Sequence, residues 1–372
     1  MDPFLPDDAK LDAIRELLPS LASGMRLDVT VAGPFPAETD RAIRQFDEHT
    51  LRVGRGGVER PEEVAQRAEE AASVVAAVLA TTPDRVVLTP GPVAAISAAL
   101  VALAPSAIVP HEGLPGTLAS DIETIAQAHR LRLSRDRGSS GAGGAIHVAS
   151  HVDATTGAMR DLGVLATEVH AARGSLLLDL GWSAGAVPID VPGSGADLAL
   201  VEGHRWLLGP EGVTALWASD PTIAARIRSL MDHLPPSLLL GLARSVGWLL
   251  MYVGLPWAFE RVGGLAQRLQ GALGAIEGVT LGSGPSTAAA LPFRVAGWSA
   301  DEVADELLRR AHAHLEVDAS RGLLVASVGA WTRGEEVDRL AGAVAEIAAH
   351  TPQTLPRRPL LTMLGSPAVT GR

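Results

Sequence analysis

The sequence predicts an α/β protein: a large domain with a mostly parallel central sheet and helices on both faces, followed by a smaller α+β C-terminal domain. Two observations carry the prediction. From residue 85 short apolar runs alternate with stretches of helical spacing, the mark of repeated strand–helix units. Beyond residue 231 long amphipathic patterns take over, with one strand-like run among them. A chain of 372 residues that is 47% hydrophobic has the length and the apolar content to build both cores.

The elements follow in order. Residues 1–29 form an N-terminal helical segment; the opening "MDPFLPDDAKLDAIRELLPS" is acidic and has no basic flank before an apolar run, so it is expected not to be a signal peptide and the protein is expected in the cytoplasm. "PEEVAQRAEEAASVVAAVLA" (61–80) predicts a helix with Pro61 in its first turn and acidic residues beside its N-terminus. "RVVLT" (85–89), "SAIVP" (106–110), "AIHVAS" (145–150), "SLLLDL" (175–180), "DLALV" (197–201) and "VTALWA" (213–218) are too short and too apolar for surface helices and predict buried strands. Between them "AAISAALVALA", "LASDIETIAQAHRL" and "LGVLATEVHAARG" carry helical spacing, the last with Gly174 as expected C-cap. Residues 30–230 thus make the large domain, with ligands expected beyond the carboxyl ends of its strands.

Residues 231–350 make the small domain. The apolar stretch from Leu234 to Val262 is interrupted by Arg244 and Pro256 and predicts a buried or interface helix rather than a membrane span. "RVGGLAQRLQGALGAI" places Val262, Leu265, Leu269, Leu273 and Ile276 on one stripe; "SADEVADELLRRAHAHL" and "RGEEVDRLAGAVAEIAAH" are further amphipathic helices around strand-like "GLLVASV". "SRDRGSSGAGG" (134–144) predicts a surface loop, and 351–372 a flexible tail.

A formal net charge of −11 disfavours a nucleic-acid or anionic-membrane surface, so a small molecule or another protein is the expected partner. The absence of cysteine excludes disulfides, thiolate metal sites and a cysteine nucleophile. His147 with His151, and His312 with His314, have no matched third ligand, so no metal is expected. "RVGRGG" and "GSGPS" lack the strand-to-helix context of a dinucleotide loop. Lys10 is the only lysine among the 31 basic residues.

The stretch "LLLDLGWSAGAVPIDVPGSGADLALVEGHRWLLGPEGVTALW" (176–217) resembles the class V aminotransferase and cysteine desulfurase superfamily, fold type I enzymes that use pyridoxal phosphate (PLP). "VAGPFP" (31–36), "SHVDATTG" (150–157) and "LLVASVGAWTRGEEVDRL" (323–340) extend the resemblance across about residues 30–350. It implies the fold type I architecture, a homodimer with the site at the interface, and a PLP cleft in which Asp179 is the carboxylate beneath the ring nitrogen.

At the other cofactor positions the implied residue is absent. Arg205 stands at the Schiff-base lysine, and a guanidinium has no free amine to condense with an aldehyde. Glu202 stands where a hydroxyl donates to the phosphate, and Gly91, Pro92 and Val93 where hydroxyl residues open the phosphate-side helix. Leu114 aligns with the stacking histidine, a shift of register bringing in His111; Ala154 replaces an asparagine, Trp182 a glutamine, and Val325 the arginine for the substrate carboxylate.

The expected cleft therefore presents Asp179, Trp182, Glu202, His204 and Arg205, with His151 and Asp153 opposite. Asp179, Trp182 and Glu202 are its inherited cofactor positions; His204, Arg205, Asp179 and His151 are its candidate catalytic residues, the histidines for proton transfer and Arg205 for a carboxylate or oxyanion. Three functions stay open: a PLP-independent small-molecule binder or repurposed enzyme, a non-catalytic subunit or regulator pairing through residues 238–259, and an atypical enzyme binding PLP noncovalently with His204 as base.

Overall fold

The structure, a computed structural model, describes residues 7–57, 60–134, 144–282 and 288–357. Most of the loop expected over 134–144, "GSGPS" from its second residue on, and residues 358–372 of the expected tail lie outside them.

The chain opens with α1 (Asp7–Glu16), β1 (Met25–Arg26), α2 (Ala37–Val53) and α3 (Arg60–Val78). Then come β2 (Val86–Thr89), α4 (Pro92–Leu103), β3 (Ala107–Pro110), α5 (Gly116–His129), β4 (Arg132–Leu133), β5 (Ala145–Ser150) and α6 (Leu162–Ala171). β6 (Ser175–Asp179), β7 (Leu198–Glu202), β8 (Thr214–Ala218) and α7 (Pro221–Arg228) complete the large unit. Its seven strands are ordered β2-β8-β7-β6-β5-β3-β4, parallel except for β8, which runs against both neighbours.

Side chains of successive strand residues leave on opposite faces, and β6 shows the consequence. Leu176 and Leu178 pack with Val75, Leu165, Val169 and Val246 on one face, while Leu177 packs with Ile96, Ile122 and Ile227 on the other. Both faces are covered by helices, which is why these strands are apolar throughout.

α6 starts where Asp161 accepts a hydrogen bond from the Val164 amide, but Gly174 is not its C-cap. Ala172 is the cap and Arg173 takes the left-handed conformation at φ 56°. Gly174 answers a different constraint: a Cβ there would come within 2.6 Å of the His147 ring.

α8 (Pro236–Trp248) packs on α3 and α2 against the large unit, and the small unit contains α9 (Leu255–Gly274), β9 (Val279–Leu281), β10 (Ala290–Val295), α10 (Ala300–Ala311), β11 (Ala313–His314), β12 (Glu316–Asp318), β13 (Leu323–Ser327) and α11 (Gly334–Ala348). An antiparallel sheet, β12-β13-β10-β9, packs against Val262, Leu265, Leu269 and Leu273 of α9 and Val337, Leu340, Val344 and Ile347 of α11. α10 is fixed by a reciprocal Ser299–Glu302 capping box and stops at Ala311, four residues before its helical pattern, because His312 turns left-handed at φ 52°.

The apolar stretch from Leu234 is two helices. α8 widens into a π-type turn over Leu249–Val253, Gly254 reverses the chain at φ 79°, and α9 begins with Pro256 in its first turn. Pro236–Val253 has the length and composition of a membrane span, yet Leu239, Leu242 and Val246 lie in the core beneath the large sheet. Residues 7–29 pack on the C-terminal lobe: β1 pairs with β11, and Arg15 binds Glu336 at 3.0 Å and the Trp331 carbonyl at 2.6 Å.

Candidate functional site

The carboxyl ends of β5, β6 and β7 converge on one buried group. Asp179, the last residue of β6, lies opposite Ser150 of β5 and Leu200 of β7. Its Oδ2 accepts from the Ser150 hydroxyl at 2.7 Å and its Oδ1 from the Gly181 amide at 2.9 Å. Burial raises its pKa above the ordinary carboxylate value; the Arg205 charge and the Ser150 hydrogen bond oppose the rise.

Glu202 ends β7, and the turn that follows carries His204 and Arg205. "VAGPFP" clamps that turn from outside: the Gly33 amide donates to the His204 carbonyl at 2.9 Å, and a Cβ on Gly33 would lie 2.3 Å from the Arg205 carbonyl oxygen. Within the turn the Gly209 amide donates to Gly203 at 2.8 Å and Leu208 is left-handed at φ 55°. These bonds fix where residue 205 points.

Arg205 is 8% exposed. Its Nη2 meets Glu202 Oε2 at 3.0 Å, whereas Nε and Nη1 are buried with no hydrogen-bond partner. A Cβ on Gly181 would stand 2.8 Å from Nη1 and 3.1 Å from Asp179 Oδ1, so glycine there lets the guanidinium and the carboxylate pack against the backbone. The Nε2 of His204 is 3.5 Å from Glu202 Oε2, and burial, with the Arg205 charge, lowers its pKa. His151 is 5% exposed; its amide donates to the Asp179 carbonyl, its Nδ1 is unpartnered, and burial drives its pKa to about 4.

Other expected site residues do different work. Asp153 is not a free acid opposite the turn: Oδ1 accepts from the Thr155 and Thr156 amides and Oδ2 binds Arg160 at 2.8 Å. Trp182 is 4% exposed and belongs to the apolar cluster that holds Val152 and Ala154. Leu114 is buried and its carbonyl accepts from Arg321, while His111 Nε2 lies 3.1 Å from His147 Nδ1. α4 begins at Gly91, at φ 137°, without a side-chain cap and with Pro92 in its first turn.

Sequence reasoning missed Glu316. It pairs across the small sheet with Val325, and burial raises its carboxyl pKa against the Thr30 hydroxyl and the Arg205 charge. Its Oε2 is buried and unpartnered. Only the β12–β13 register could have pointed to it, since "HLEVD" reads as ordinary strand–loop alternation. No group of three or more His, Cys, Asp or Glu able to hold a metal occurs among the described residues.

Known proteins fit this frame. The family model "Aminotransferase class-V" matches residues 124–230, the stretch containing Asp179, Glu202 and Arg205. A variant of C-DES with its lysine changed to alanine and glycine covalently linked to the PLP cofactor superposes with TM-score 0.77, at 16% identity, over 89% of this chain and 98% of that one. The stretch 124–230 is thus similar to class V aminotransferases, and the chain shares the fold of that solved structure.

The apo cysteine desulfurase of Thermococcus onnurineus NA1 has the same fold, with TM-score 0.74 and 18% identity over 91% of this chain and 98% of that one. Escherichia coli CsdA gives 0.73 and 18% over 90% and 97%. A probable cysteine desulfurase of Methanothermobacter thermautotrophicus is 24% identical over 226 residues, so the match spans 56% of each chain.

The turn at Arg205 carries no lysine that could form an imine with PLP. The only lysine, Lys10, lies in α1 with its Nζ 4.3 Å from the centre of the Trp257 ring. Asp179 matches the need for a buried carboxylate, but Arg205 offers no condensable amine and Pro92 no amide donor.

Proposed function

We propose that this protein has given up the imine-forming lysine and uses the cleft around Arg205 to bind a small carboxylate-bearing molecule without PLP. The observation that carries the reading is the buried guanidinium with Nε and Nη1 unused. Leaving such donors unsatisfied costs about 1–3 kcal/mol, and a carboxylate oxygen accepts a charge-assisted hydrogen bond from either one. By the sequence resemblance, position 205 corresponds to the lysine and 202 to a phosphate-binding hydroxyl; here those two side chains pair with each other. His204, kept neutral by burial and 3.5 Å from Glu202, is the group placed to accept a proton from a ligand at this turn.

The test is direct. Wild-type protein is incubated with PLP, reduced with borohydride and mapped; the reading expects no phosphopyridoxyl group on any cleft residue, and an adduct there overturns it. Propionate is expected to raise the melting temperature of wild type but not of Arg205→Met.

A second reading, PLP held noncovalently with His204 as base, is favoured by the buried Asp179–Ser150 pair and by the C-DES variant that carries PLP without its lysine. It predicts PLP absorbance that survives gel filtration and is lost in Asp179→Asn. We also propose a cytoplasmic homodimer through the α2–α8 face, supported by Leu51 and Met251, 86% and 88% exposed, and by the stacked Trp248 and Tyr252 rings. A non-catalytic role as a subunit would use the same face.

A further inference from the structure

β2 is the outermost strand of the seven-stranded sheet and is bonded to β8 on one side only. A free strand edge is a row of unpaired backbone groups, which folded proteins cover or guard with charge. Here the guard is partial. At the start of the strand Arg228, the last residue of α7, donates through Nη2 to the carbonyl oxygens of Asp84 at 2.9 Å and Val86 at 3.1 Å. Alongside, a cavity of about 410 Å³ is lined by Val86, Val87 and Leu88 together. Consecutive strand residues point to opposite faces, so a cavity that touches three in a row runs along the edge and not beneath one face. Ala68 and Ala72 of α3, with Leu234 and Leu239 at the start of α8, complete its walls. Ala72, Val86, Val87, Leu234 and Leu239 belong to the two cores on either side of the sheet, which makes those walls firm. The rim is charged and unbalanced. Glu69, Asp84 and Asp232 bring three carboxylates, while Arg228 brings one guanidinium already engaged by carbonyl oxygens; His233 is the remaining titratable group. The α3 arginines do not redress this: Arg60 pairs with Glu63 at 2.9 Å and Arg67 with Glu70 at 2.8 Å, and neither Glu69 nor Asp232 has an ion pair among the described residues.

We propose that this edge cavity is a second ligand site, sharing no residue with the Arg205 turn, and that it takes an amphiphilic amine: an apolar body along β2 and an ammonium at the mouth between Glu69 and Asp232. The volume lies within the ~300–1,000 Å³ of small-molecule pockets. Removal of the body from water drives binding, and the walls of alanine, valine and leucine make no demand on it beyond shape. The head group decides the class. An ammonium meets two carboxylates that have no other cation, a hydroxyl gains little from them, and a carboxylate is repelled. Each exposed ion pair changes affinity by up to about fivefold, so two of them, attractive for the amine and repulsive for the acid, separate the two by about tenfold or more.

The experiment is titration of the full chain with heptylamine, heptan-1-ol and heptanoate, three probes with one body and different heads, followed by ligand-observed NMR at low salt. Wild type is compared with Ala68→Phe and with Glu69→Gln/Asp232→Asn. Ala68 is half-buried on the cavity wall, so the ring fills the site, and the binding that this variant removes is the binding counted for each probe. Heptylamine is expected to bind about tenfold more tightly than heptanoate, with heptanol between them, and added salt should narrow the gap. The double variant, confined to two exposed side chains, should keep heptanol affinity and lose most of the preference for the amine. Heptanol binding as tightly as the amine, or heptanoate more tightly, overturns the head-group assignment. An amine-to-heptanol ratio unchanged in the double variant overturns it as well, and that ratio can be read even if Ala68→Phe fails to fold. No binding of the amine to wild type, or amine binding unchanged in a folded Ala68→Phe, overturns the site.

Discussion

His151 makes this protein acid-sensitive by an amount that the structure sets. The ring is 5% exposed, and burial moves its pKa from 6.5 to about 4. Above pH 6.5 the imidazole is neutral in folded and unfolded chains alike and nothing is lost. As pH falls below that, the unfolded chain takes up a proton that the folded one refuses, and stability drops until about pH 4, below which both forms are protonated. At ~1.4 kcal/mol per pH unit the interval is worth about 3 kcal/mol, a large part of the ~5–15 kcal/mol that holds a typical domain folded. Asp179, Glu316 and Asp28, all raised by burial, act with the opposite sign, since their folded forms hold protons more tightly. The histidine is therefore isolated by difference: urea titrations followed by tryptophan fluorescence, wild type against His151→Gln, from pH 7.5 to pH 4. The stability gap between the two should be constant above pH 7 and move by about 3 kcal/mol towards the variant by pH 4. Parallel pH profiles would refute the assignment of a buried, neutral imidazole.

Three further outcomes follow from named contacts. Arg205→Met strands the Glu202 carboxylate and should cost about 3–5 kcal/mol, most of it recovered in Arg205→Met/Glu202→Leu; denaturant midpoints of the two variants check this. Gly33→Ala drives a Cβ into the Arg205 carbonyl and Leu208, so a loss of about 1–3 kcal/mol should come with a change in propionate affinity. Met251→Asp places a charge on the exposed α8 face and should shift a dimer to monomer in light scattering at unchanged melting temperature; an unchanged mass would reject that face as the interface.

The strands were legible because each is buried on both sides, so apolar content alone marked them: β5 and β6 match their expected bounds within a residue. Helix ends were harder. At α6 and α10 a non-glycine residue takes the left-handed position, Arg173 and His312, and no sequence rule names them in advance. Asp179, Glu202 and Arg205 were singled out by the resemblance around β6 and β7, and in the structure Glu202 and Arg205 pair beyond the end of β7. Asp153 looked like a member but closes its own turn, a local role that composition does not separate from a functional one. The burial of Glu316 was invisible because it follows from cross-strand register, a relation that lies between β12 and β13 rather than within either.

The docking of residues 7–30 onto the C-terminal lobe has a consequence for biosynthesis. Arg15 and Glu336 are 321 positions apart, so the opening helix leaves the ribosome long before anything exists for it to bind. At ~5–20 residues per second translation keeps it waiting for tens of seconds. Its apolar side, Leu11 and Ile14, is exposed to chaperones throughout that interval, and a fusion partner at the amino end would interfere with the last step of maturation rather than the first.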